Sequence, residues 1–170
     1  MGSLSLEIKA RCAAPHRIRK ILLAHGARFR GLDRQVDTYF RVPSGRLKLR
    51  EGNIENALIY YKRIDQKNSK KCDSTLFSCT KKTSPKKVLT EALGILVVVD
   101  KKREIYFIRN VKFHIDRVKK LGNFAEIEVF GSESVASRLR KQCEFYQKLL
   151  GIRVKDLVAD SYSDFILKSG

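Results

Sequence analysis

The stretch Leu4-Ser5-Leu6-Glu7-Ile8-Lys9-Ala10-Arg11 alternates apolar and polar side chains without a break. Strand side chains point to opposite faces with a period of two, so residues 4–12 read as a strand. Leu4, Leu6, Ile8 and Ala10 make one face; Ser5, Glu7, Lys9 and Arg11 make the other. That second face carries both signs of charge, which marks it for more than solvation. The same pattern recurs along the chain. Lys48 and Arg50 share a face within 46–51, Lys101 and Arg103 stand two apart, and so do His114 and Asp116. Glu126 and Glu128 lie opposite Ile127 and Val129.

Working outward, Pro15 opens a helix that Gly26 stops, with Ile18, Ile21 and Leu22 on its buried side. Residues 35–41 predict a second strand. The turn Pro43-Ser44-Gly45 joins it to 46–51 as a hairpin. Residues 57–64 form another strand, and a short one lies near 75–79 within a basic loop. Ser84 and Pro85 start a short helix ended by Gly94. Residues 96–100 and 103–108 read as separate apolar strands, followed by 111–118 and 124–130. Ser132 or Ser134 caps a long helix that stops at Gly151, and 160–167 form a last helix or turn. Seven or eight strands joined mostly by short turns favour an antiparallel sheet or closed barrel over parallel units, an α+β fold. A closed barrel would turn all the charged faces inward and leave an apolar exterior for helices to cover.

The 170 residues fit one domain, 1–170. Basic residues number 36 against 18 acidic ones, a formal charge of +18 that favours polyanionic ligands. Cys12, Cys72, Cys79 and Cys143 form no zinc pattern and read as free thiols in a reducing compartment. No apolar segment suits a leader or a membrane span, so a cytoplasmic protein is expected. Two carboxylates at i and i+2, as in Glu126 and Glu128, can reach one hard cation. Basic pairs at that spacing can hold phosphate oxygens. Nothing resembles a nucleic-acid motif, and paired glutamates would repel a phosphate backbone, which argues against a nucleic-acid partner.

An ordered series of motifs resembles the CYTH superfamily of triphosphate tunnel metalloenzymes, nearest its class IV adenylyl cyclase-like branch. It runs from Ser5-Leu6-Glu7-Ile8-Lys9 through Asp37-Thr38-Tyr39-Phe40, Gly45-Arg46-Leu47-Lys48-Leu49-Arg50-Glu51 and Tyr60-Tyr61-Lys62-Arg63. It continues with Val99-Asp100-Lys101-Lys102-Arg103, His114-Ile115-Asp116, Glu126-Ile127-Glu128-Val129 and Ser161-Tyr162-Ser163-Asp164. The resemblance implies an eight-stranded antiparallel β-barrel, a tunnel with helices packed outside. It implies Mg²⁺ or Mn²⁺ on Glu7, Glu126 and Glu128. Lys9, Lys48, Arg50, Arg63, Lys101 and Arg103 would hold the substrate phosphates, with Lys9 and Asp116 in catalytic roles. The implied ligand is a small-molecule triphosphate: ATP, thiamine triphosphate or tripolyphosphate. Hydrolysis is the expected reaction; cyclisation of ATP to cyclic AMP and binding without turnover are the alternatives. A homodimer is compatible with this reading. One position departs from the family motif: Ser5 stands where a glutamate is expected, which predicts weaker metal binding.

Overall fold

The computed structural model describes residues 3–63, 70–80 and 83–169. The opening alternation forms β1 (Ser3–Arg11), followed by α1 (Pro15–Ala24), β2 (Arg28–Phe40), β3 (Arg46–Glu51), β4 (Ala57–Arg63) and β5 (Lys70–Ser78). Then come α2 (Lys86–Leu93), β6 (Ile95–Ile108), β7 (Val111–Val118), β8 (Gly122–Ser132), α3 (Ala136–Leu149) and α4 (Tyr162–Ser169). The strands pair antiparallel in the order β1-β5-β4-β3-β2-β6-β7-β8 and close into a barrel. The β1–β8 seam runs the whole strand, from Ser3↔Ser132 to Arg11↔Phe124. The β1–β5 seam is short, Leu6↔Lys71 and Glu7↔Lys70. The fold is the expected α+β barrel with external helices.

The apolar face of β1 does what its alternation predicts. Leu6, Ile8 and Ala10 join Phe113, Ile115, Ile127 and Val129 beneath Ile18 and Leu22 of α1 and Leu139 and Cys143 of α3. Each large aliphatic side chain buried this way contributes about 1.5–3 kcal/mol. Gly131 lets α3 approach, because a Cβ there would stand 2.8 Å from Leu139. α1 and α3 cover this side. Leu32, Leu96 and Val98 remain exposed on the outside of β2 and β6.

Several sequence expectations shift. β2 begins at Arg28, seven residues before the predicted start at Gln35. Its first half has no apolar alternation because it carries charge on the outside and Asp33 inside. A bulge near Gly31, with φ +144, bends it there. The two strands predicted at 96–100 and 103–108 are one strand, β6. The charged run 100–104 looks like a break, but Lys101 and Arg103 point inward and are buried by ion pairs. β5 is longer than the predicted 75–79. α2 starts at Lys86 with Pro85 as its cap residue, and the Lys86 amide donates to Ser84 Oγ. Neither Ser132 nor Ser134 caps α3; their hydroxyls bond each other, and a 3₁₀ turn leads into the helix. Of strand 57–64, Ile64 lies outside the described residues. Cys12, Cys79 and Cys143 are free thiols.

The segment 160–167 resolves into α4, and it caps one end of the barrel. Tyr162 packs among Tyr39, Tyr61, Val97, Val99, Val118 and Phe124, inward residues of five strands. Its hydroxyl donates to Asp116 Oδ2 at 2.7 Å, and Arg46 reaches Ser161 and Asp164. Tyr162→Phe keeps the packing and removes one hydrogen bond to a buried carboxylate. It is expected to cost about 1.5 kcal/mol, read from urea unfolding.

Candidate active site in the barrel interior

The inward faces of the strands build two clusters of charge. In the first, Asp37 of β2 is the hub. It accepts from Arg50 Nε at 2.9 Å and from Lys101 Nζ at 2.7 Å, and Lys48 Nζ stands 3.2 Å away. The β2–β3 and β2–β6 registers place these groups, with Asp37 opposite Arg50 and Lys101 opposite Gln35. Burial opposes the charge of Asp37, yet Arg50, Lys101 and Lys48 outweigh it and hold its pKa well below the usual carboxylate range. Burial also dominates at Lys101. Asp37 supports its charge only in part and the neighbouring arginines oppose it, so its pKa falls to about 7.

The second cluster centres on Arg103. It donates to Asp116 Oδ1 and to Glu126 Oε2, both at 2.7 Å. Lys9 Nζ lies 2.9 Å from Glu126 Oε1, and His114 Nδ1 lies 2.9 Å from Glu126 Oε2. Burial works against the charge of Glu126, but Arg103 and Lys9 hold its pKa well below normal. Burial and the Arg103 charge push His114 down to about 4. The ring is therefore neutral near pH 7, and its Nε2 has no hydrogen-bond partner among the described residues.

Of the three expected metal-binding carboxylates, two meet and one is drawn away. Glu7 and Glu128 are register partners across the β1–β8 seam. Burial first, and then the charge of Glu7, raise Glu128 to about 7. Two facing carboxylates with this mutual repulsion suit a hard divalent cation. Glu126 instead is engaged by Lys9, Arg103 and His114. Among the described residues, no group of three or more Asp, Glu, His or Cys side chains is arranged to hold a metal ion. Ser5 belongs to the same strand face as Glu7, but its register partner is Phe130.

Lys9, Lys48, Arg50, Lys101 and Arg103 thus come together inside the barrel with Asp116. Arg63 pairs through its backbone with Cys72, and its side chain lies outside the described ones. Sequence reasoning assigned no role to Asp37, although it lies in the quoted motif Asp37-Thr38-Tyr39-Phe40. It also passed over Glu55, which binds Arg50, Lys112 and Gln35. Asp33 was missed as well: its carboxylate accepts from the amides of Asn53, Ile54 and Glu55 and anchors that loop. An isolated aspartate in the charged first half of β2 carries no periodic signal. Among the described residues that line the interior, carboxylates and cations interleave. Glu7, Asp33, Asp37, Glu55, Asp116, Glu126 and Glu128 face Lys9, Arg46, Lys48, Arg50, Lys101, Arg103 and Lys112.

A barrel of this topology, with cations and carboxylates gathered on its inner wall, defines a class. The CYTH domain family model matches residues 4–162, and the chain belongs to that family. The chain is similar to the PH1012 protein of Pyrococcus horikoshii, with 27% identity, 94% of this chain and 98% of that one covered, and a TM-score of 0.82. It is also similar to an adenylate cyclase candidate from Vibrio parahaemolyticus at 16% identity, with 98% and 99% covered and a TM-score of 0.78. The Pct1 RNA triphosphatase of Schizosaccharomyces pombe shares the fold at 11% identity, with 90% and 80% covered and a TM-score of 0.51. No curated protein matches the chain. No helix among the described residues is long and apolar enough to cross a membrane.

Proposed function

We propose that the barrel binds a small molecule bearing a triphosphate and hydrolyses it with the help of Mg²⁺ or Mn²⁺. The observation that carries this reading is the state of the inner cations. Lys48, Arg50 and Lys101 converge on Asp37, while Lys9 and Arg103 converge on Glu126. An entering triphosphate offers those cations better charge and more acceptor oxygens than the carboxylates do. Lys9, Lys48, Arg50, Arg63, Lys101 and Arg103 then hold the phosphates and offset charge that develops as the bond breaks. Asp116 and Tyr162 keep Arg103 in place. Glu7 and Glu128 hold the metal, and Glu126 joins them once its cations turn to the phosphates. A bound divalent ion supplies polarisation of the phosphoryl oxygens. Membership of the CYTH family, whose members include triphosphatases and cyclases, supports the substrate class.

The test is a panel of ATP, thiamine triphosphate and tripolyphosphate with each metal, scored for phosphate release, cyclic AMP and melting temperature. At least one ligand is expected to raise the melting temperature, and Arg50→Ala to shrink that rise. If none does, the reading fails. A rise without turnover favours the binding-only alternative, which Ser5 and the engaged Glu126 support. Cyclic AMP in place of phosphate would make the protein a cyclase.

Lys101 gives the binding a pH dependence. Its pKa in the free protein is about 7, so above that pH one cation of the grip is lost. A polyanion restores the proton on binding. Tripolyphosphate affinity is therefore expected to fall as pH rises through 7, and Lys101→Met should flatten the profile. Isothermal titration in two buffers of different ionisation enthalpy reads the proton uptake directly. Equal proton uptake in the parent and in Lys101→Met would exclude this assignment.

A further inference from the structure

Arg34 of β2, Lys102 of β6 and Arg117 of β7 are direct register partners in one row across the outside of the barrel. All three are exposed, and none has an ion-pair partner among the described residues. Like charges directly opposite one another on a sheet cost stability, so the row is unfavourable in the free protein. Strands lie about 4.8 Å apart, which spreads the three charges over about 10 Å. Two hollows adjoin this row and share Leu32. One, of about 670 Å³, lies between Arg34, Leu49, Glu51, Asn56 and Thr80 and reaches the interior residue Arg50. The other, of about 360 Å³, lies between Leu23 of α1, Leu32, Phe29, Tyr106 and the ion pair Arg19–Glu104. Phe29 is 49% exposed, and its ring rests on Tyr106 with centroids 4.9 Å apart.

We infer that this outer face binds single-stranded nucleic acid, with phosphates along Arg34–Lys102–Arg117 and a base against Phe29 in the smaller hollow. Cations beside an exposed aromatic ring are the physical requirement for sequence-tolerant strand binding. A lipid surface shares the anionic chemistry, but it favours protruding apolar groups over concave ones that receive separate rings. Glu126 and Glu128, which argue against a nucleic-acid partner in the sequence, lie inside the barrel, and the glutamates that line the hollows are paired, Glu51 with Lys86 and Glu104 with Arg19. The inference does not depend on the reaction proposed for the interior.

The probe is a fluorescent oligouridylate of about a dozen nucleotides, a length within the usual footprint of such sites. Anisotropy should show binding that weakens with salt. In the variant Arg34→Gln, Lys102→Gln, Arg117→Gln, the log–log salt slope should become shallower by about 2, from about 0.7 per phosphate contact. Phe29→Ala should weaken binding about tenfold and leave the slope unchanged. Neither variant should alter the melting-temperature rise given by tripolyphosphate. The triple variant should melt no lower than the parent, because it removes like-charge repulsion. No binding by the parent, unchanged slope and affinity in the triple variant, loss of binding in Lys101→Met, or binding to phosphatidylserine vesicles but not to the oligonucleotide would each overturn the inference.

Discussion

Arg103→Ala is expected to lower the stability of the ligand-free protein by about 3–5 kcal/mol at neutral pH, the loss typical when one partner of a buried ion pair is removed. Arg103 is 4% exposed, and its two carboxylate partners, Asp116 and Glu126, are almost fully buried. Without the guanidinium, Asp116 keeps the hydrogen bond from Tyr162, and Glu126 keeps Lys9 and His114. Neither set replaces a bidentate arginine, so at least one carboxylate must take up a proton or draw in water. The pH dependence follows from the direction of the shifts. Asp116 and Glu126 have lowered pKa values in the folded protein. Their contribution is present above the unfolded-state values and is lost as pH falls below them. The gap between parent and variant should therefore narrow below about pH 4. Urea unfolding at neutral and acid pH measures both. Adding Glu126→Gln should recover part of the loss, since the two changes share one cluster and are not additive. A neutral-pH loss below about 1 kcal/mol would mean that Arg103 is solvated rather than structural.

This expectation changes how ligand effects are read. A reduced thermal shift in an Arg103 variant mixes lost phosphate contact with a weakened barrel. Arg50 is the cleaner probe. Its removal leaves Asp37 with Lys48 and Lys101, so the carboxylate is still compensated.

The alternation of β1, β7 and β8 was legible because one face of each packs under helices while the other lines the interior. That two-sided difference is what periodicity detects. β2 and β6 were read short for the converse reason. At Arg34 and Lys102 the outer face is charged, and at Gln35, Lys101 and Arg103 the inner face is polar too, so the alternation disappears. The cations of the site were visible from their spacing, because two residues apart on a strand means one face. What they touch was not. Asp37 and Arg50 are neighbours only through the β2–β3 register, and Glu126 meets Lys9 only across the closing β1–β8 seam. Sequence gave net charge its sign, and the register decides where that charge sits. The interior cations Lys9, Lys48, Arg50, Lys101 and Arg103 meet carboxylates, while the outer row Arg34–Lys102–Arg117 does not.

Glu128→Gln should stabilise the metal-free protein and abolish its stabilisation by divalent metal. In the folded protein Glu128 has its pKa raised to about 7, first by burial and then by Glu7 across the seam. A carboxyl whose folded pKa lies above its unfolded value binds more protons folded than unfolded between the two values. Stability therefore falls as pH rises from about 4.5 to about 7, and the penalty is fully present above that. The full shift corresponds to about 3 kcal/mol; partial exposure of Glu128 reduces the expected gain from Gln to about 2 kcal/mol. At about pH 8 the variant should therefore melt higher than the parent in the presence of a chelator, and near pH 4 the two should melt alike. Mg²⁺ or Mn²⁺ should reverse the order. An ion between Glu7 and Glu128 turns their repulsion into shared attraction in the parent, and a neutral amide beside Glu7 offers it little. Melting curves at two pH values, with chelator and with metal, contain the whole test. Equal metal stabilisation of parent and variant would remove Glu128 from the metal site. Equal melting at pH 8 in chelator would show that Glu7 and Glu128 do not burden each other in the free protein.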